Sequence, residues 1–279
     1  KMKKMNKAKI GTWITTYNPS ALDVISKCNF DWICIDMEHS SITLEQLENL
    51  LNVLDKNKSN SFVRVSDNNK TEIKKVLDLG AKGIIVPMVN TALEAKNAVS
   101  YATYPPAGQR GYALGRAQGF GYDLVNYEKV SKNIKIVVQI ESIKAINNLD
   151  EILNSMYNLL VPKGKIMSGF GPLYNFFNGD HGRTRAIFPW FHLVFPNSFL
   201  IKRINKKQKK QITSITELGL NMYSLNDYLR IFKNSNFKIE VLKKNCSNNP
   251  LALIFKLISK IKFLEEYFTF NIFTILYKK

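Results

Sequence analysis

The stretch Trp32-Ile33-Cys34-Ile35-Asp36-Met37-Glu38-His39 decides how this chain is read. An apolar run of strand length ends abruptly in two carboxylates and an imidazole. Such a run fits a parallel strand buried on both faces. Four similar runs accompany it: Ile10–Ile14, Ser61–Val65, Gly83–Val89 and Ile134–Ile140. Helical patterns lie between them. Pro19–Lys27 carries Leu22, Ile25 and Ser26 at helical spacing. Thr43–Leu54 places Leu44, Leu47, Leu50 and Leu51 on one face, behind Ser40 and Ser41 as caps. Thr71–Leu79 follows Asp67, Asn68 and Asn69, and Thr91–Tyr101 opens with the capping-box pair Thr91 and Glu94. Alternating strands and helices predict an α/β fold with parallel strands and right-handed crossovers. The pattern alone does not choose between a barrel and an open sheet.

Working outward, 279 residues allow one large barrel or two ordinary domains. With 45% hydrophobic and 22% charged residues, disordered and fibrous classes are excluded. Three cysteines make no disulfide framework and fit a reducing compartment. No apolar run reaches the roughly 18–20 residues of a spanning helix. The basic start Lys1–Met5 has no apolar signal core behind it. The expectation is a cytoplasmic protein. Of the net charge of +18, residues up to Ser155 carry +4 and the remainder +14. In a chain rich in Lys, Asn and Ile this reads as compositional bias, and no nucleic-acid partner is expected.

Residues 104–122 hold two prolines and five glycines without a period, a long loop of the functional kind. Near Asn154–Asn158 the character changes, which divides the chain into segments 1–155 and 156–279. The second segment predicts a strand ending at Phe170, a basic stretch Lys202–Lys210, a helix Leu225–Lys233 and a strand Phe237–Lys243. The tail Leu251–Tyr277 reads as an apolar helix broken by lysines. Its part Phe263–Tyr277 is expected to pack in a core or against another subunit, or else to lie on a membrane surface.

Several residues point to chemistry. His39, beside Asp36 and Glu38 at the C-terminal end of a strand, reads either as a general base or as a loop histidine bonded locally. Arg64, inside a strand among apolar neighbours, asks for an anion or a partner carboxylate. Asp78 sits at a helix C-terminus, where a carboxylate is unfavourable, so another group must favour it. Gln139 and Glu141 flank Ile140 and share a face, and Glu141 could hold a divalent metal. Asp180-His181-Gly182-Arg183-x-Arg185 reads as a basic surface loop or an anion site, and His192 as a core histidine. The histidines at 39, 181 and 192 show no zinc spacing, and no phosphate-binding glycine motif occurs.

Taken in order, Gly11-Thr12-Trp13, Phe30-Asp31-Trp32, Asp36-x-Glu38-His39, Val63-Arg64-Val65, Leu77-Asp78-x-Gly80-Ala81-x-Gly83, Val86-Pro87-Met88-Val89, Tyr104-Pro105-Pro106-x-Gly108-x-Arg110-Gly111 and Gln139-Ile140-Glu141 resemble the HpcH/HpaI aldolase family over about residues 8–153. The resemblance implies part of a (β/α)8 TIM barrel and a class II, metal-dependent carbon–carbon lyase acting on a 2-keto acid such as pyruvate and an aldehyde. It implies Mg2+ or Mn2+ on Glu141, and Arg64 orienting the substrate and stabilising the enolate oxygen. It further implies His39 paired with Asp78 as the base, Asp36 in support, Gln139 as a polar contact, and a homo-oligomer.

The family's second metal carboxylate would stand in a Gly-Pro-x-Asp-Leu-Ser motif. Here Gly171-Pro172-Leu173-Tyr174 places Tyr174 there, and the next carboxylate is Asp180. Without that ligand and the last barrel strands, whether the lyase is active stays open. Residues 156–245 resemble instead the C-terminal, Rossmann-like part of a class I SAM-dependent methyltransferase. The resemblance rests on Leu159–Ile166, Pro189–Pro196 and Ser235–Ile239. That fold's SAM-binding first half has no counterpart, so SAM binding is not expected. A methyltransferase remnant and a non-catalytic fusion are the alternative readings.

Overall fold

The computed structural model describes residues 9–184, 187–208, 211–246 and 250–279. The basic start Lys1–Met5, Arg185, Lys209 and Lys210 lie outside the described residues. Two compact units divide between Glu141 and Ser142. The sequence change noted near residue 155 comes after this division.

The first unit alternates throughout: β1 Gly11–Ile14, α1 Pro19–Ser26, β2 Trp32–Asp36, α2 Leu44–Lys56, β3 Ser61–Arg64, α3 Lys70–Asp78, β4 Gly83–Val86, α4 Ala92–Ala102, α5 Leu124–Ser131 and β5 Lys135–Val138. The strands form one parallel sheet in sequential order β1-β2-β3-β4-β5. Each of the first three helices therefore returns the chain to the neighbouring strand, while α4, the loop 104–122 and α5 together make the crossing from β4 to β5. The expected helices form, with one change of cap. Thr43, not Ser40 or Ser41, starts α2, and it closes a capping box with Gln46. Thr91 and Glu94 make the capping box expected of α4. Gly11 is required by packing, because a Cβ there would sit 2.0 Å from the Trp32 ring.

The two faces of this sheet differ. Ile33, Ile35, Val63, Ile84 and Val86 are wholly buried, as are Leu47, Leu50, Leu51 and Leu54 of α2 and Ile73, Val76 and Leu77 of α3. That is the apolar stripe expected of helices on a parallel sheet. The other face carries Trp13, Trp32, Cys34, Asp36, Phe62 and Arg64, which strand alternation and register bring to one side. Edge-on contacts run from Trp13 to Trp32 and from Trp32 to Phe62. Trp13 and Val137 remain about two-fifths exposed. Burial on both faces is thus corrected. Five strands in sequential order do not close a barrel, so part of the face that closure would bury stays open.

The second unit begins with α6 Ile143–Asn147 and α7 Leu149–Leu159, followed by β6 Lys165–Phe170, α8 Phe191–Val194, α9 Asn197–Gln208, α10 Leu225–Asn234, β7 Lys238–Lys244, α11 Pro250–Ile258, α12 Glu265–Phe268 and β8 Ile272–Tyr277. Its sheet has the order β6-β8-β7, with β8 antiparallel to both neighbours. The helical reading of Leu251–Tyr277 is corrected here. Within it, helix is confined to α11 and the short α12, and Ile272–Tyr277 is the central strand. Ile272, Thr274 and Leu276 are buried while Phe273 is exposed, a period of two that suits β-branched residues. His192 is a core residue, with Nε2 2.7 Å from the Tyr174 carbonyl oxygen. Among the described residues, no helix is long and apolar enough to cross a membrane.

Candidate active site

The register of β2 and β3 sets Asp36 beside Arg64 at the C-terminal end of the sheet. Arg64 donates from Nε to Asp36 Oδ1 at 2.8 Å and from Nη2 to Oδ2 at 2.6 Å. This is the fork-to-carboxylate pair that planar guanidinium favours. Nη1 lies 3.0 Å from Glu38 Oε2, without the alignment of a hydrogen bond. The guanidinium carbon sits 4.9 Å from the Trp13 ring centroid. Asp36 Oδ1 also accepts the backbone N–H groups of Glu38 and His39, at 3.1 and 3.3 Å, and so folds the chain after β2 around itself. Burial pushes the Asp36 carboxyl up, but the Arg64 hydrogen bonds and the His39 N–H together hold it below the ordinary carboxylate range. Asp36 raises the Arg64 guanidinium in return, against the opposing effect of burial.

The His39 ring is largely exposed, with Nε2 3.7 Å from Glu38 Oε1. Gln139 continues β5 at the same end of the sheet. Its N–H donates to the Val86 carbonyl, and its carbonyl accepts from Val89. Its side-chain Oε1 is buried without a hydrogen-bond partner among the described residues. Glu141 Oε1 accepts the Met88 N–H at 2.8 Å, and Met88 has a left-handed backbone with φ of 52°. Thus Asp36, Glu38, His39, Arg64, Gln139 and Glu141 all sit on or just beyond strand C-termini, where α/β folds place their chemistry. Cys34, on the same face, is pushed up to about 12 by burial and is no nucleophile.

Asp78 is not among them. It ends α3, which returns toward the start of β4, so it lies at the opposite end of the sheet from His39. The expected pairing of Asp78 with His39 is not formed within the chain. Its partner is Arg110, whose Nη2 donates to Asp78 Oδ1 at 2.7 Å and to the Tyr127 hydroxyl at 3.0 Å. Gln118 adds a bond to Asp78 Oδ1 at 3.3 Å. The resemblance gave Arg110 no role. The signal was present nonetheless, since an acid at a helix C-terminus needs a cation and the loop 104–122 offers Arg110 and Arg116. Arg116 pins the same loop to α2, with Nε 2.7 Å from Asn52 and Nη2 2.6 Å from Asp55.

Among the described residues, no three His, Cys, Asp or Glu side chains gather as a metal site. Glu141 supplies one carboxylate, and one of its oxygens is already bonded. Tyr174 stands where a second acid was expected. Asp180 is wholly buried and spent on its own turn, accepting from the N–H groups of Gly182 and Thr184 and from the Thr184 hydroxyl. The donor set does not fit a divalent ion held by the protein alone.

Residues 9–161, more than half of the chain, match the family described as HpcH/HpaI aldolase/citrate lyase. The chain belongs to this family. It is 34% identical over 152 residues to the 2-dehydro-3,6-dideoxy-6-sulfogluconate aldolase of Pseudomonas putida, covering 54% of this chain and 60% of that protein. It is 36% identical over 148 residues to a 2-keto-3-deoxy-L-rhamnonate aldolase of Escherichia coli, covering 52% of this chain and 55% of that one. Among solved structures, an HpcH/HpaI aldolase/citrate lyase family protein of Burkholderia cenocepacia superposes with a TM-score of 0.51 at 27% identity, over 53% of this chain and 61% of that one. An HpcH/HpaI aldolase of Desulfitobacterium hafniense shares the fold, with a TM-score of 0.50 at 22% identity over 72% and 73%. The chain spans little more than half the length of the curated relatives it matches.

Proposed function

We propose that the first unit is the 2-keto-acid-binding part of an aldolase-type carbon–carbon lyase, with turnover limited by the missing second carboxylate. The observation that carries this reading is the Arg64 guanidinium, held in plane by Asp36 at the strand ends. Of its five N–H donors, two are committed to Asp36 by hydrogen bonds and a third faces Glu38. The remaining donors are available to a substrate oxygen. Breaking the bond next to a ketone leaves an enolate, and a cation fixed in advance stabilises that oxygen as charge develops. Asp36 holds the cation in place. The exposed imidazole of His39 exchanges the proton. Gln139 offers an orphaned oxygen to a hydroxyl of the bound molecule. By the family resemblance Glu141 would be the acid offered to Mg2+ or Mn2+, with water and substrate left to complete such a site. Pyruvate with an aldehyde is the proposed substrate class, and a homo-oligomer the proposed assembly.

The test has two arms. Pyruvate should quench tryptophan fluorescence through Trp13, which stacks on Arg64, and Arg64→Ala should abolish the quench while Trp13→Phe removes the reporter. Retro-aldol release of pyruvate with Mg2+ or Mn2+ should be far weaker than in a full-length aldolase. Strong release that Glu141→Ala abolishes would retain the lyase and refute the limited turnover. Absence of both quench and release would refute the whole reading.

For the second unit we retain the class I methyltransferase resemblance. In its support, the turn Pro162–Gly164 leads directly into β6, and Ser235–Phe237 leads into β7. Calorimetric titration with SAM should give no binding heat, because that fold's SAM-binding half has no counterpart in this chain; measurable heat would overturn the reading of this unit as a remnant without a SAM site.

A further inference from the structure

Helix α11 has two apolar sides. One is turned inward, where Phe255 packs on Phe176, Phe177 and Phe268. The other is bare. Leu253, Ile254 and Leu257 are exposed, Leu257 by 63%, and at 100° per residue the three fall within one quarter-to-third of the helix circumference. The turn after α11 continues this surface with Ile261 and with Phe263, which is 75% exposed. Single exposed apolar residues are ordinary, whereas five in eleven positions make a patch that calls for an occupant.

The charge around the patch indicates which occupant. From Val241 to Leu264 the chain carries Lys243, Lys244, Lys256, Lys260 and Lys262 and no acidic residue. Lys256, Lys260 and Lys262 are exposed beside the apolar side chains. Two copies meeting through this face would bring like charges together, a repulsive arrangement. An anionic lipid surface instead accepts apolar side chains at the headgroup boundary and offers phosphates to the lysines. Nine residues of α11 span about 14 Å, so the helix is too short to cross and would lie along the surface.

We propose that α11 and the turn to Phe263 form a docking surface for an anionic bilayer. Leu253, Ile254, Leu257, Ile261 and Phe263 enter the headgroup boundary, and Lys256, Lys260 and Lys262 engage the lipid phosphates. This proposal is independent of the aldolase reading.

Co-sedimentation of the full chain with vesicles of phosphatidylcholine, with and without phosphatidylglycerol, tests it. Binding is expected only when phosphatidylglycerol is present, and it should weaken as added salt shortens the Debye length from about 10 to about 3 Å. The double variant Leu257→Asp/Phe263→Asp should lose binding while keeping the wild-type circular dichroism melt. Reversing Lys256, Lys260 and Lys262 to Glu should cost at least about fivefold per lysine. No sedimentation with the anionic vesicles, or equal sedimentation of the double variant, would overturn the proposal. So would a dimer that the double variant disperses without any vesicle binding, which would assign the face to a second copy.

Discussion

Two arginine–aspartate pairs stand at opposite ends of the same sheet, and they serve different ends. Arg110 and Asp78 form the closed pair. The Arg110 side chain has no solvent exposure, and its Nε and Nη1 have no hydrogen-bond partner among the described residues. Tyr104 and Tyr127 lie 4.7 and 5.4 Å from its guanidinium carbon, where cation–π attraction compensates in part. Burial opposes its charge, yet Tyr127 and Asp78 together raise its pKa. Arg64 and Asp36 form the open pair. It lies at the strand C-termini, where Asp36 is buried but Arg64 keeps some solvent access, donors to spare and an exposed imidazole nearby. The same two residue types thus pin a loop at one end and present a cation to a ligand at the other.

The largest expected effect comes from breaking the closed pair. Arg110→Ala should destabilise the first unit by about 3–5 kcal/mol in urea titration, because it strands Asp78 and empties a buried site. Arg110→Met should cost much less, since an apolar replacement of similar volume often matches a buried ion pair. A result of equal size for both would mean that the charge itself holds the loop.

Breaking the open pair should cost less stability and more function. Arg64→Ala is expected to lose about 1–3 kcal/mol, the range of charged hydrogen bonds, together with keto-acid binding. Unchanged pyruvate quenching in that variant would remove Arg64 from the site.

Acid offers a milder probe of the same pair. The folded-state pKa of Asp36 lies below the ordinary carboxylate range, so the folded state favours the ionised form. Its contribution is therefore complete above about pH 5 and is lost as pH falls through the folded value. Asp36→Asn should flatten the acid limb of the stability curve below about pH 4 and leave the pH 6–8 region without slope from this group.

The smallest effect on stability is expected at His39. Its ring is largely exposed, so His39→Gln should shift stability by no more than about 0.5 kcal/mol. Exchange of pyruvate methyl protons with deuterated water, followed by NMR, should nevertheless fall. Exchange at the wild-type rate would take His39 out of the proton-transfer role.

Much of the first unit was legible in the sequence because its signals are local. Strands of Val and Ile, leucines at helical spacing and Thr91 with Glu94 are all read within a dozen residues, and the structure follows them closely. The need of Arg64 for a carboxylate was legible too, since an arginine in an apolar strand is costly when alone. That Asp36 meets the need was not, because it depends on the pairing of β2 with β3. Asp78 was a harder case. Its awkward place showed that it needed a cation, but nothing local separated Arg110 from the imidazole that the resemblance suggested. The tail failed for a related reason. Leu251–Tyr277 is rich in apolar residues along its length, and only the position of Ile272–Tyr277 between β6 and β7 turned its last six residues into a strand.

By itself the sequence determined the alternation of elements, the chemical types gathered at strand ends, the family and the uneven charge, because each depends on residue identity and short spacing. Only the tertiary structure decided which arginine meets which aspartate, which face of the sheet stays open, and which apolar stretch becomes strand rather than helix. Those outcomes depend on strand register and on the residues available to cover each surface, and both are set by contacts far apart in the chain.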